Sequence, residues 1–153
     1  MTRSTFVYVS YIRTTPDKLW AALTDGEFMK QYWFGMHGDS AFTTGSPWKL
    51  VAGDGRVPAA GEIVEATPPR RLVIRWKDQK PELELEGDSL CTLELEPIGA
   101  AVKLSITHTI EREHSKLIES VGGGWPKVIS NLKSLLETGA TMSLEACPAS
   151  APQ

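Results

Sequence analysis

The chain has 153 residues, 41% hydrophobic and 23% charged, which suits one globular domain with a sizeable core and excludes a disordered or fibrous chain. A net charge of −3 and a pI near 5.6, with no basic block longer than Arg70-Arg71, argue against nucleic acid or an anionic membrane as a partner. No run of about 18 apolar residues is present, so no transmembrane helix is expected.

Phe6 to Arg13 is rich in Val, Tyr and Ile and reads as a strand. Thr14-Thr15-Pro16-Asp17 then starts a helix, with a Thr cap and Pro in the first turn. Leu19, Trp20 and Leu23 follow at helical spacing. Asp25-Gly26 breaks this helix, and Glu27 to Trp33 gives a second short one. Beyond residue 40 short strands are expected at Phe42-Thr43 and Trp48 to Val51, on either side of the turn Gly45-Ser46-Pro47. Gly61 to Thr67 alternates and stops at Pro68-Pro69. Glu62 and Glu65 fall on opposite faces of it, so one of them could point inward.

Arg71 to Trp76 places Leu72, Ile74 and Trp76 on one strand face, and Lys77 to Asp88 reads as an acidic surface loop. Ser89 to Glu96 alternates, with Cys91, Leu93 and Leu95 on the buried side. After the turn at Pro97-Ile98-Gly99-Ala100, Val102, Leu104, Ile106, His108 and Ile110 share one face. The period then becomes helical. His114 to Val121 predicts a short helix, Gly122-Gly123-Gly124 an interruption, and Pro126 the first turn of a new helix. Its stripe is Trp125, Val128, Ile129, Leu132, Leu135 and Leu136, and Gly139 ends it. Residues 140–153 read as a flexible tail after a single domain at 1–139. Strands in succession followed by a helix predict an α+β fold with an antiparallel sheet, and one helix leaves part of such a sheet uncovered.

Five tryptophans stand out. An aromatic wall at Trp33, Trp48, Trp76 and Trp125 would give a flat ligand large contact area, while the same rings could simply fill a core. His108, between Ile106 and Ile110, is either a ligand or acid/base group or a structural imidazole satisfied by a neighbour. His37 and His114 are expected at the surface. No metal-ligand spacing, phosphate loop or nucleophile elbow is present, so no metal or cofactor is expected and no catalytic residue can be assigned. Two cysteines, Cys91 and Cys147, make no disulfide framework. With no signal-peptide stretch after Met1, the reading is cytoplasmic.

Four segments resemble a known family: Leu19 to Thr24 running on to Gln31-Tyr32-Trp33-Phe34, Arg71 to Trp76, Leu104 to His108, and Gly124-Trp125-Pro126 with Leu132 to Glu137. Together they are similar to the activator of heat-shock-protein-90 ATPase homologue domain, a branch of the START-like (SRPBCC) helix-grip superfamily. The resemblance implies about seven antiparallel strands curved around a C-terminal helix, with two short helices after the first strand. It also implies a cavity for a small apolar, aromatic or amphipathic ligand, which places Trp33, Trp48, Trp76, His108, Trp125 and Val128 as candidate ligand-binding residues. The alternatives are a cyclase- or aromatase-like enzyme using acid/base groups in the cavity, and a chaperone ATPase-activating module. The latter is disfavoured because the eukaryotic activator carries an additional N-terminal domain that is not expected in this chain. A homodimer is compatible with an exposed sheet edge.

Overall fold

The computed structural model describes residues 3–145. Its elements are β1 (Ser4–Ile12), α1 (Pro16–Thr24), α2 (Gly26–Tyr32), β2 (His37–Ser40), β3 (Pro47–Val51), β4 (Ala59–Thr67), β5 (Arg71–Asp78), α3 (Pro81–Glu84), β6 (Ser89–Ile98), β7 (Ala101–Ile110) and α4 (Lys116–Thr138). The seven strands form one sheet in the order β1-β7-β6-β5-β4-β3-β2, and every neighbouring pair is antiparallel. The expected α+β helix-grip architecture is what the chain adopts. The core between sheet and α4 joins Leu72, Ile74, Leu93, Leu104 and Ile106 to Val128, Ile129 and Leu132.

Local chemistry sets the helix starts. The Thr15 hydroxyl accepts from the Lys18 N–H, and the Asp25 carboxylate accepts from the N–H groups of Glu27 and Phe28. The Ser115 hydroxyl accepts from the N–H of Ile118 and donates to the Glu86 carboxylate, which also accepts from the N–H groups of Lys116 and Leu117. Gly139, with φ at 87°, closes α4.

Several expectations are corrected. The glycine triplet does not interrupt the last helix: α4 runs unbroken for 23 residues with Pro126 in its interior. Both flanks are anchored. Leu117 and Ile118 pack with Leu83 and Ile110 before the glycines, and Trp125 to Leu132 pack into the main core after them. Tertiary packing outweighs the poor helical propensity of three glycines and a proline. Gly122 also serves a close approach, since a Cβ there would sit 3.1 Å from the Phe6 ring.

Phe42-Thr43 is not a strand. Phe42 adopts φ of 54°, and the edge strand is β2, which ends at Ser40, two residues before it. The segment 77–88 is not one solvated loop: β5 extends to Asp78, α3 buries Leu83, and Glu86 clamps the start of α4. His37 is half-buried, its ring 3.1 Å from the position of a Cβ on Gly26. Neither Glu62 nor Glu65 reaches the interior. A register shift between Ile63 and Glu65 absorbs one residue, so Glu62 meets Arg75 at 2.7 Å and Glu65 meets Arg71 at 3.1 Å, both on the outer face. Residues 141–145 carry no regular structure, and Leu144 exchanges two hydrogen bonds with the Asn131 amide. The rest of the expected tail, 146–153, lies outside the described residues.

Candidate functional site

Alternation along β5 and β7 sends Trp76 and His108 inward, and α4 brings Trp125 down onto them. Trp33 caps the C-terminus of α2 and meets the Trp125 ring at 5.2 Å. The Trp76 ring lies 6.2 Å from Trp125, 5.2 Å from His108 and 5.0 Å from Trp48. Five aromatic rings thus form one continuous cluster at offset and tilted geometries.

A directional hydrogen-bond chain runs through this cluster. The Trp125 indole N–H donates to His108 Nδ1 at 3.2 Å, and His108 Nε2 lies 2.7 Å from the Ser89 hydroxyl. The Ser89 hydroxyl donates to the Trp76 carbonyl at 3.3 Å. An indole nitrogen is only a donor, so Nδ1 is an acceptor and the neutral ring carries its proton on Nε2. Burial pushes the imidazole down to about 4, so the ring is neutral near pH 7. A Ser89–His108 pair would be a catalytic dyad only if Nε2 could take the serine proton, and that nitrogen is already protonated. Both residues are buried, which closes the pair to substrate.

Beside this chain lies an apolar slot of about 190 Å³. Trp33, Trp76, Trp125 and Val128 form its walls, with Met36, Leu50 and Ala59 among their neighbours. Four of the six residues singled out in the sequence meet there. Trp48 and His108 do not line it. Trp48 packs behind Trp76, and His108 is fully buried in the layer that holds the two walls.

The slot also contains Asp78 and Ser120, neither of which the sequence reading selected. Asp78 stands two residues after Trp76 on the same strand face, so extending the β5 alternation would have found it. Partial burial raises its carboxyl, against the opposing effect of the Lys80 N–H it accepts at 2.9 Å. Trp76 contributes one further feature. Its indole nitrogen is buried and has no hydrogen-bond partner, the only such side-chain atom among the described residues.

A wider concavity of about 500 Å³ opens on the outer sheet face among Glu65, Arg71, Glu94 and Lys103. Arg71 is paired there with both Glu65 and Glu94, so the groove is a solvated ion-pair surface and not an apolar site. Among the described residues no three His, Cys, Asp or Glu side chains gather as metal ligands, and no helix is long and apolar enough to cross a membrane.

A family model described as Activator of Hsp90 ATPase homolog 1-like protein matches residues 13–137. No curated protein matches the chain. Among solved structures, protein MLL2253 from Mesorhizobium loti is 25% identical, with a TM-score of 0.75 over 88% of this chain and 97% of that one. CalU16 from Micromonospora echinospora is 22% identical, with a TM-score of 0.72 over 88% of this chain and 77% of that one. The Aha1 dimer from Colwellia psychrerythraea is 20% identical, with a TM-score of 0.73 over 89% of this chain and 98% of that one.

Proposed function

Because this chain belongs to the Activator of Hsp90 ATPase homolog 1-like family, we propose that it is a small-molecule binding domain whose site is the Trp33–Trp76–Trp125 slot. The fold alone hosts several functions, so the reading rests on the site. The observation that carries it is a surface-open slot walled by three indoles and Val128 beside a fully buried polar chain. A cavity of about 150 Å³ can hold one benzene ring, so a slot of this size suits a substituted single ring and not a multi-ring compound.

The cyclase-like alternative needs a proton acceptor facing the ligand. His108 offers none, since Nδ1 is engaged by Trp125 and Nε2 is protonated. A chaperone-activating role has the family description in its favour but no feature of this site. A homodimer through β1 is part of the proposal. That edge strand exposes Val7, Val9 and Tyr11 along one face, and the Colwellia psychrerythraea relative is described as a dimer.

A ligand of about nine heavy atoms at roughly 0.5 kcal/mol each reaches a Kd of order 1 mM. Binding is therefore sought by titration into the millimolar range, following the tryptophan indole resonances. Val128→Phe fills the slot and should abolish binding in a folded protein. Equal binding by V128F and the unaltered protein would place the ligand elsewhere.

A further inference from the structure

Three carboxylates are half-buried among the described residues, and two of them are answered by the protein. Glu65 pairs with Arg71 at 3.1 Å, and Glu86 takes three donors at the start of α4. Asp78 is in no ion pair, and the hydrogen bond it accepts comes from the Lys80 backbone N–H at 2.9 Å. A carboxylate partly withdrawn from water loses hydration that a bound cation can replace.

The position of Asp78 gives this charge a use. It follows Trp76 by two residues on the inward face of β5. There the slot adjoins a polar concavity of about 480 Å³, and the two share Pro58, Asp78 and Ser120. Arg56 and Lys80 line that concavity and not the slot. Arg56 is held by Asp54 at 2.7 Å. Lys80 is exposed, and Glu82 opposes its effect on Asp78. No Lys, Arg or His lines the slot, so Asp78 is the one charge in its wall. We propose that the slot takes an organic cation, a single apolar ring among the indoles carrying a protonated amine on a short arm that pairs with the Asp78 carboxylate. An anion of the same size meets that carboxylate with no cation in the slot to offset it. This rests on the binding reading above and names the class of ligand that the site selects.

The test compares benzylamine, benzyl alcohol and benzoate, which share a ring and carry a positive, a neutral and a negative group at pH 7.5. Each is titrated while the tryptophan indole resonances and the Asp78 carboxyl carbon resonance are followed. A charge-assisted pair at a half-buried carboxylate predicts benzylamine about 3- to 10-fold tighter than benzyl alcohol, an advantage that shrinks with added salt. Benzoate should bind more weakly than the alcohol, and only the amine should move the Asp78 carboxyl resonance. Asp78→Asn keeps an oxygen to accept from the Lys80 N–H and removes the charge. In D78N the alcohol should bind nearly unchanged while the amine falls to the level of the alcohol. Should D78N fail to fold, the carboxyl resonance of the unaltered protein decides the matter. Benzyl alcohol or benzoate binding as tightly as benzylamine overturns the cation assignment and keeps the slot. A preference for the amine that survives D78N, or an amine that leaves the Asp78 resonance unmoved, overturns the role of Asp78. If none of the three binds, the slot reading itself falls, and the cation with it.

Discussion

The indole N–H of Trp125 donates to His108 Nδ1 across 3.2 Å, and this contact decides where His108 keeps its own proton. With Nδ1 accepting and Nε2 facing the Ser89 hydroxyl, the folded protein holds the imidazole neutral. Protonation would put a charge in a buried layer and break the bond to Trp125.

Stability should therefore fall with acid in a defined window. The folded-state value is about 4, below the roughly 6.5 of an unfolded chain, so the unfolded state takes up protons first. The contribution is complete above about pH 6.5, is lost as pH falls toward 4, and levels off below that, for about 3 kcal/mol in all. Urea melts at pH 7 and pH 4.5 test this against His108→Gln, in which the carboxylates titrate as before. An equal pH dependence in H108Q would remove His108 as the cause.

Glu86 should control the start of α4. Its carboxylate accepts from the Ser115 hydroxyl and from the N–H groups of Lys116 and Leu117. Desolvation raises this carboxyl, and those three donors outweigh it, so the net direction is downward. The stability it provides is present above the unfolded carboxylate value and disappears as pH falls through the lower folded one. Glu86→Ala should cost about 1 kcal/mol or more and speed hydrogen exchange at residues 116–118. Unchanged exchange there would show that Ser115 caps the helix alone.

Two glycines should respond in opposite directions to alanine. A Cβ on Gly61 would lie 1.8 Å from the Arg75 carbonyl oxygen, a backbone atom that cannot yield without disturbing the β4–β5 ladder. Gly61→Ala should cost more than about 2 kcal/mol. A Cβ on Gly123 meets nothing within 4 Å inside a continuous helix, so Gly123→Ala should add about 0.5–1 kcal/mol. Thermal melts of the two variants suffice, and a destabilised G123A would mean that the helix breaks where the isolated sequence suggests.

The outward valines of β1 offer a test of assembly. Val7 is 58% and Val9 42% exposed on an edge strand. If two copies meet there, Val7→Lys with Val9→Lys should convert a dimer to a monomer by light scattering without lowering the melting temperature of the monomer. A dimer that survives both substitutions lies on another face.

Much of the fold could be read because burial repeats with the strand period. Leu72, Ile74 and Trp76, then Cys91, Leu93 and Leu95, then Val102, Leu104, Ile106, His108 and Ile110 all face inward as their spacing predicts. Where the reading failed, the deciding partner was distant in sequence. Gly122 to Gly124 looked like a break because propensity is local, whereas Phe6 and the hydrophobic residues on both sides hold the helix together. His37 to Ser40 carries no strand signal and pairs only because β3 lies alongside, and a Cβ on Gly38 would sit 3.0 Å from the Trp48 indole nitrogen. The β4 bulge that turns both glutamates outward leaves no mark in composition. His108 was visible as an inward residue. Its partners were not, since Ser89 lies 19 positions before it and Trp125 17 after.

The polar chain begins at the side chain of Trp125 and ends at the backbone of Trp76, and these two residues are opposite jaws of the slot. It therefore acts as a caliper. Each link has a directional geometry, so the helix cannot lift from β5 without stretching a hydrogen bond sealed from water. The gap between the jaws is then a fixed gauge, and a guest that needs a wider opening must break the chain before it can enter.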